Sequence, residues 1–259
     1  MFLDSSPSPL DLAFRLGPYP VRVSVWFWVG MALVGSTTFN DRLLGPASIV
    51  VWVACGFVSI LLHELGHAAA FRWFGTPARI ALIAFGGLAI PSGGRPASGW
   101  RMLAVNLAGP AATFLLFGLV VVSNLSADWR FKHPVLDRVY LFLVIQNLSW
   151  GILNLIPVWP LDGGQALREV LYILGVRRPD PATHATGVAV GGSLALVGLA
   201  VLLKVNHPFL EWGPYIPGPI MMIFFGLMAF QNWQLLQQYN QTRSAWDAAD
   251  DDERWRGYR

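Results

Sequence analysis

Ile49-Val50-Val51-Trp52-Val53-Ala54-Cys55-Gly56-Phe57-Val58-Ser59-Ile60-Leu61-Leu62 runs without a break into His63-Glu64-Leu65-Gly66-His67, so an apolar stretch that reads as a membrane span ends on three ionisable side chains. Each ionisable group at mid-bilayer costs about 2.5–3.5 kcal/mol on insertion scales, and groups kept there against that cost serve a function by default. On a helix the two histidines lie on one face, about 6 Å apart along the axis, where both imidazoles can bind one Zn²⁺. Glu64 follows the first histidine directly and can stand beside the ion as a base without being a ligand.

The rest of the chain agrees with a membrane setting. Of its 259 residues 54% are hydrophobic and only 13% charged, and the mean hydropathy is +0.49. That is too apolar for an ordinary soluble domain and fits a polytopic membrane protein. We expect an all-α fold of about six transmembrane helices, near 21–39, 47–72, 101–123, 135–156, 184–203 and 215–236. This gives a lead-in over 1–20, a membrane domain over 21–236 and a polar tail over 237–259. The first twenty residues carry Asp4, Asp11 and four prolines and do not read as a signal peptide.

With six spans and the N-terminus inside, thirteen of the eighteen Lys and Arg residues fall on the inner side, so both termini are expected in the cytoplasm. The metal motif then lies below the bilayer midplane, toward the cytoplasmic face. Trp73, Trp100 and Trp129 fall at span ends, as an interfacial aromatic belt requires. A net charge of +3 and the absence of a basic run go with a lipid setting, and no nucleic-acid partner is expected.

Between the second and third spans, Ile80-Ala81-Leu82-Ile83-Ala84-Phe85 precedes Gly86-Gly87. Six residues are too few to span as a helix. They can form a membrane-embedded strand or hairpin if protein or a water-filled cavity covers the backbone.

A catalytic zinc takes three protein ligands and leaves one position open. The best third candidate is Asp162, within Asn154-Leu155-Ile156-Pro157-Val158-Trp159-Pro160-Leu161-Asp162-Gly163-Gly164. Pro157 and Pro160 interrupt the helix ladder where the carboxylate must turn inward, and the two glycines permit close approach. A competing reading makes Asp162 a helix N-cap with Gln165 as its capping-box partner. The single cysteine, Cys55, lies roughly 12 Å along the helix from His63 and reads as a packing residue. His133, His184 and His207 fall in loops or at span ends and read as solvated.

These motifs together resemble the site-2 proteases, the intramembrane zinc metalloproteases of peptidase family M50. The resemblance rests on HELGH, Phe85-Gly86-Gly87, Asn106-Leu107-Ala108-Gly109-Pro110 and the 154–164 segment, and it covers roughly residues 12–174. It implies one Zn²⁺ held by His63, His67 and Asp162, and Glu64 as catalytic base. It further implies roles toward substrate or oxyanion for Asn154, Phe85, Gly86 and Gly87. The implied activity is hydrolysis of a peptide bond in or near a transmembrane segment of a membrane protein. The implied setting is the cell membrane, with room for a regulatory membrane partner. The chain carries no PDZ or CBS domain, so it resembles the compact branch. Thr113 stands where many relatives carry asparagine. A divalent-metal transporter and a catalytically silent, helix-binding relative are the competing functions.

Overall fold

The computed structural model describes residues 8–84, 86–93, 99–204 and 218–256. Phe85 and His207, both singled out above, lie outside the described residues. The chain divides into two compact units, Met1–Leu155 and Ile156–Arg259.

The first unit opens on a β-hairpin that the helical expectation does not include. Strands β1 (Leu12–Leu16) and β2 (Tyr19–Val23) pair antiparallel, with Gly17 at φ +57° between them. Val21 and Val23 alternate into the core along β2, the period-two pattern of a half-buried strand. The expected first span therefore loses its opening residues to a sheet. Helix α1 (Val25–Gly35) has only 11 residues, about 16 Å of rise and short of the bilayer core. Ser24 starts it, accepting the Trp26 N–H on its hydroxyl while its own N–H donates to the Leu82 carbonyl.

Helix α2 (Ser48–Trp73) follows, 26 residues long and carrying the histidine pair. Strand β3 (Ala78–Ile83) then returns parallel to β2 and antiparallel to β4 (Gly86–Pro91), giving the order β1-β2-β3-β4. β3 is an inner strand and β4 an edge. The sheet's buried face, Val21, Val23, Ile80 and Leu82, joins Phe27, Ile60, Leu61, Phe71 and Val105 in one apolar core. Gly30 of α1 lets that helix sit against the Ala84 carbonyl, where a Cβ would be 1.8 Å from the oxygen.

Helices α3 (Trp100–Ala127) and α4 (Pro134–Asn154) pack on α2. α4 is tied to α2 by side-chain amides: Gln146 Nε2 donates to the Trp52 carbonyl at 3.0 Å, and Asn147 Nδ2 to Ser59 Oγ at 2.9 Å. Such bonds hold helices together where no hydrophobic drive separates protein from lipid.

The second unit holds α5 (Asp162–Ile173), α6 (Pro179–Leu202) and α7 (Gly218–Arg256). α6 packs along α7. The tail expected from residue 237 continues α7 as helix to Arg256.

Among the described residues four helical segments are long and apolar enough to cross a membrane: Gly45–Trp73, Trp100–Ala127, Pro179–Leu202 and Pro219–Thr242. The six-span expectation differs at α1, which is short, and at α4, whose buried amides and Asp137-Arg138 lower its hydropathy. Outward-facing Leu115, Leu119, Val122 and Leu125 on α3, each at least 59% exposed, give that helix an apolar outer face, a surface suited to lipid.

Candidate metal centre

His63 and His67 lie one helical turn apart in the middle of α2, and both are buried, at 2% and 7% exposure. Helix α3 braces both rings. His67 Nδ1 lies 2.7 Å from the Val105 carbonyl, which can only accept, so Nδ1 carries the proton. His63 Nδ1 lies 2.9 Å from Thr113 Oγ1. The same hydroxyl lies 3.1 Å from the Gly109 carbonyl, and it can accept from Nδ1 when His63 turns an unprotonated Nε2 toward a metal. The two Nε2 atoms lie 3.2 Å apart.

Two Zn–N bonds of about 2.0–2.1 Å to one ion would span this gap at a near-tetrahedral angle. Histidine ligands whose Nδ1–H is held by a carbonyl or hydroxyl are the usual arrangement around protein-bound zinc. The donor pair thus fits the ion.

The close approach of α3 depends on small residues. A Cβ on Gly109 would lie 2.1 Å from His67 Nε2, and one on Gly66 would lie 2.4 Å from the Ala108 carbonyl oxygen. Glu64, 4% exposed, meets the start of β4, where a Cβ on Gly87 would lie 2.4 Å from its Cγ and 2.7 Å from Oε1. Gly86 faces the Trp150 ring, and Trp150 in turn meets His63 edge to face at 6.3 Å. The edge strand, Glu64 and His63 are therefore packed together in the first unit.

Asn154, the last residue of α4, donates from Nδ2 to the Trp150 carbonyl of its own helix at 2.9 Å. In the second unit Asp162 is buried at the first position of α5, with Leu161 as the N-cap. The capping-box reading therefore does not hold. Gln165 instead reaches back past Asp162 to the Pro160 carbonyl at 3.0 Å.

A model of peptidase family M50 matches residues 127–199. A zinc metalloprotease of Methanocaldococcus jannaschii is 28% identical over 74% of this chain, and the match covers 54% of that relative, about half its length. Stage IV sporulation protein FB of Bacillus subtilis is 30% identical, over 87% of this chain and 68% of its own. The chain belongs to peptidase family M50. Its fold matches the solved site-2 protease from Methanocaldococcus jannaschii at a TM-score of 0.53 and 22% identity, covering 87% of this chain and 95% of that one.

As an M50 family member with four apolar helices, the chain is a multi-pass membrane protein, and zinc is its metal. Several residues around the M50 site escape a reading by motif. Thr113, which departs from the asparagine of many relatives, lies 2.9 Å from His63 Nδ1. The Val105 carbonyl is invisible to any side-chain pattern, although Gly109 inside the NLAGP segment signals a close approach. Cys55 packs with its thiol 3.9 Å from the Val139 carbonyl. His133 caps α4, its Nδ1 accepting the Val135 N–H. His184 lies within α6, half-buried, and bonds Asn232 of α7 at 3.0 Å.

Proposed function

We propose that this chain is an intramembrane zinc metalloendopeptidase that hydrolyses a peptide bond within or beside a transmembrane segment of a membrane-protein substrate. The observation that carries the proposal is the buried histidine pair, its Nε2 atoms 3.2 Å apart, with the next residue after His63 a buried carboxylate. Asp162 is the third ligand in this reading, because it is buried, offers a carboxylate oxygen and is not the cap of its helix.

Bound zinc supplies Lewis acidity, which lowers the pKa of water toward about 7 and polarises the scissile carbonyl. Glu64 accepts a proton from the attacking water and delivers it to the departing amine, so the peptide bond and water become a carboxylate and an amine. Gly87, lacking a Cβ, makes room for the Glu64 carboxylate at the start of β4. A substrate helix hides its peptide groups in its own ladder and must unwind locally before cleavage. The exposed edge of β4 then offers backbone groups with which the unwound stretch pairs as an added strand. Asn154 and Gly86 border this region, and the Asn154 amide donates to substrate in this reading.

The chain crosses the cell membrane six times, with α1 extended by its flanking turns and α4 completing the set, and both termini are cytoplasmic. Its partners are lipid and a transmembrane substrate, with a membrane protein as regulator.

The test is cleavage of a single-pass substrate in reconstituted vesicles, with zinc measured on the same preparation. Glu64→Gln should lower turnover by at least about 10²-fold with one zinc retained, and Asp162→Asn should lose the metal. Proline at Leu88 or at Ala89, adjacent β4 residues whose N–H groups point to opposite sides, should block cleavage at the outward-facing position alone. Unchanged turnover in Glu64→Gln, or zinc flux across the vesicle, would replace the protease reading with a transporter.

A further inference from the structure

Asn232 is fully buried in α7, a helix long and apolar enough to cross the membrane, and both of its amide hydrogens and its oxygen are engaged. Its Nδ2 donates to the Met228 carbonyl of its own helix at 2.8 Å and to the Trp159 carbonyl at 2.7 Å. Its Oδ1 accepts from His184 Nδ1 of α6 at 3.0 Å. The orientation of the amide follows from its partners, since two carbonyls can only accept and must face the nitrogen. Gly187 of α6 makes room for it: a Cβ there would lie 2.5 Å from Asn232 Oδ1.

The bond to Trp159 differs from the other two. It reaches neither helix core but the loop between Ile156 and Leu161, three residues before Asp162. That loop is stiff toward α5. Gly164 lies directly against it, where a Cβ would be 2.4 Å from the Trp159 nitrogen and 2.7 Å from the Val158 oxygen. Leu161 N–H bonds the Val158 carbonyl at 2.9 Å, and the Gln165 amide holds the Pro160 carbonyl. A shift at Trp159 is therefore passed toward Asp162 through the backbone packing at Gly164 and the Leu161–Val158 bond, with the Gln165 amide as a side-chain link on the far side. The Trp159 ring also packs edge to face on His184 at 6.0 Å.

We infer that Asn232 is a positioning residue for Asp162: α7 sets the loop through the Trp159 carbonyl and thereby aims the carboxylate of α5. This rests on the reading of Asp162 as a zinc ligand. An ordinary interhelical pin would act through His184 alone, and the two roles separate by substitution. Asn232→Leu removes the loop bond and the helix pin together. His184→Phe removes the pin, keeps an aromatic ring against Trp159 and leaves both Nδ2 bonds in place.

The experiment measures zinc affinity by competition with a chelator, and the visible absorption of the cobalt-substituted protein, on purified full-length chain in detergent. Asn232→Leu should weaken zinc by about tenfold, the lower end of what loss of an outer partner costs, and should change the cobalt band shape. His184→Phe should leave affinity within about twofold of wild type and the spectrum unchanged. Equal weakening in both variants, or an unchanged spectrum in Asn232→Leu, overturns the inference. Should Asn232→Leu not yield monodisperse protein, Gly187→Ala presses on the same amide from α6 and must shift the cobalt spectrum; an unshifted spectrum overturns the inference as well. Asp162→Ala separates the two levels. If it keeps wild-type zinc affinity, the ligand reading falls and takes the inference with it; if it loses zinc while Asn232→Leu keeps it, only the inference falls.

Discussion

His63 and His67 stand mid-way along a 26-residue helix and are aimed by bonds to their rings from a neighbouring helix. Asp162 stands on the first turn of a 12-residue helix and follows a backbone path fixed by prolines, a glycine contact and amide bonds to carbonyls. In the proposed ligand set the histidines are oriented through their side chains, the aspartate through the chain that carries it. The difference has a cost structure. A bond to an imidazole Nδ1 acts on the ligand atom directly, whereas a bond to a loop carbonyl is shared among several supports and its loss is diluted.

The harshest way to break the helix-braced side is Gly109→Ala. The new methyl would fall 2.1 Å from His67 Nε2, so either the ring or α3 must move. We expect zinc affinity to drop by more than about 100-fold, beyond what loss of an outer hydrogen bond costs, read by metal analysis after dialysis. Retained stoichiometric zinc would show that the ring has slack the packing does not suggest.

Thr113→Val is milder and tests the same side. It keeps the shape but leaves the buried His63 Nδ1–H without its acceptor, costing about 1–3 kcal/mol and about 10- to 100-fold in zinc affinity. Thr113→Asn, which restores a side-chain oxygen and the residue many relatives carry, should recover most of the binding. Equal losses in both variants would mean that threonine acts through its size.

The smallest effect belongs to the loop. Gln165→Leu removes one bond to the Pro160 carbonyl and should cost about 1 kcal/mol of stability, seen as a small fall in melting temperature. Zinc affinity should stay within about threefold, because Trp159 remains tied to Asn232. A loss as large as that of Thr113→Val would erase the contrast between the two modes of support.

What the sequence discloses follows the same division. The HELGH spacing places two rings on one helical face because the helix has a fixed period, and Pro157, Pro160 and the glycines mark the break before Asp162 for equally local reasons. Those signals need only neighbours in the chain. Their supports do not. The Val105 carbonyl carries no side-chain signature, Thr113 reads as an ordinary helix residue, and Asn232 lies about 70 residues from the loop it bonds. His184 misleads for the same reason: polar neighbours in sequence suggest water, whereas its partner comes from α7. The β1–β2 hairpin was legible in principle, since Val21 and Val23 alternate, but its five-residue strands merge with the apolar helix that follows.

Both imidazoles lean on a single helix. Val105 and Thr113 stand eight residues apart on α3 and match His63 and His67 in reverse order, so each ring finds its acceptor only at one axial setting of α3 against α2. A slip of one residue between these two helices would strand both ring protons together. An ion held by this pair would therefore report the registry of two membrane helices, bound tightly only at the one alignment that gives both rings their partners.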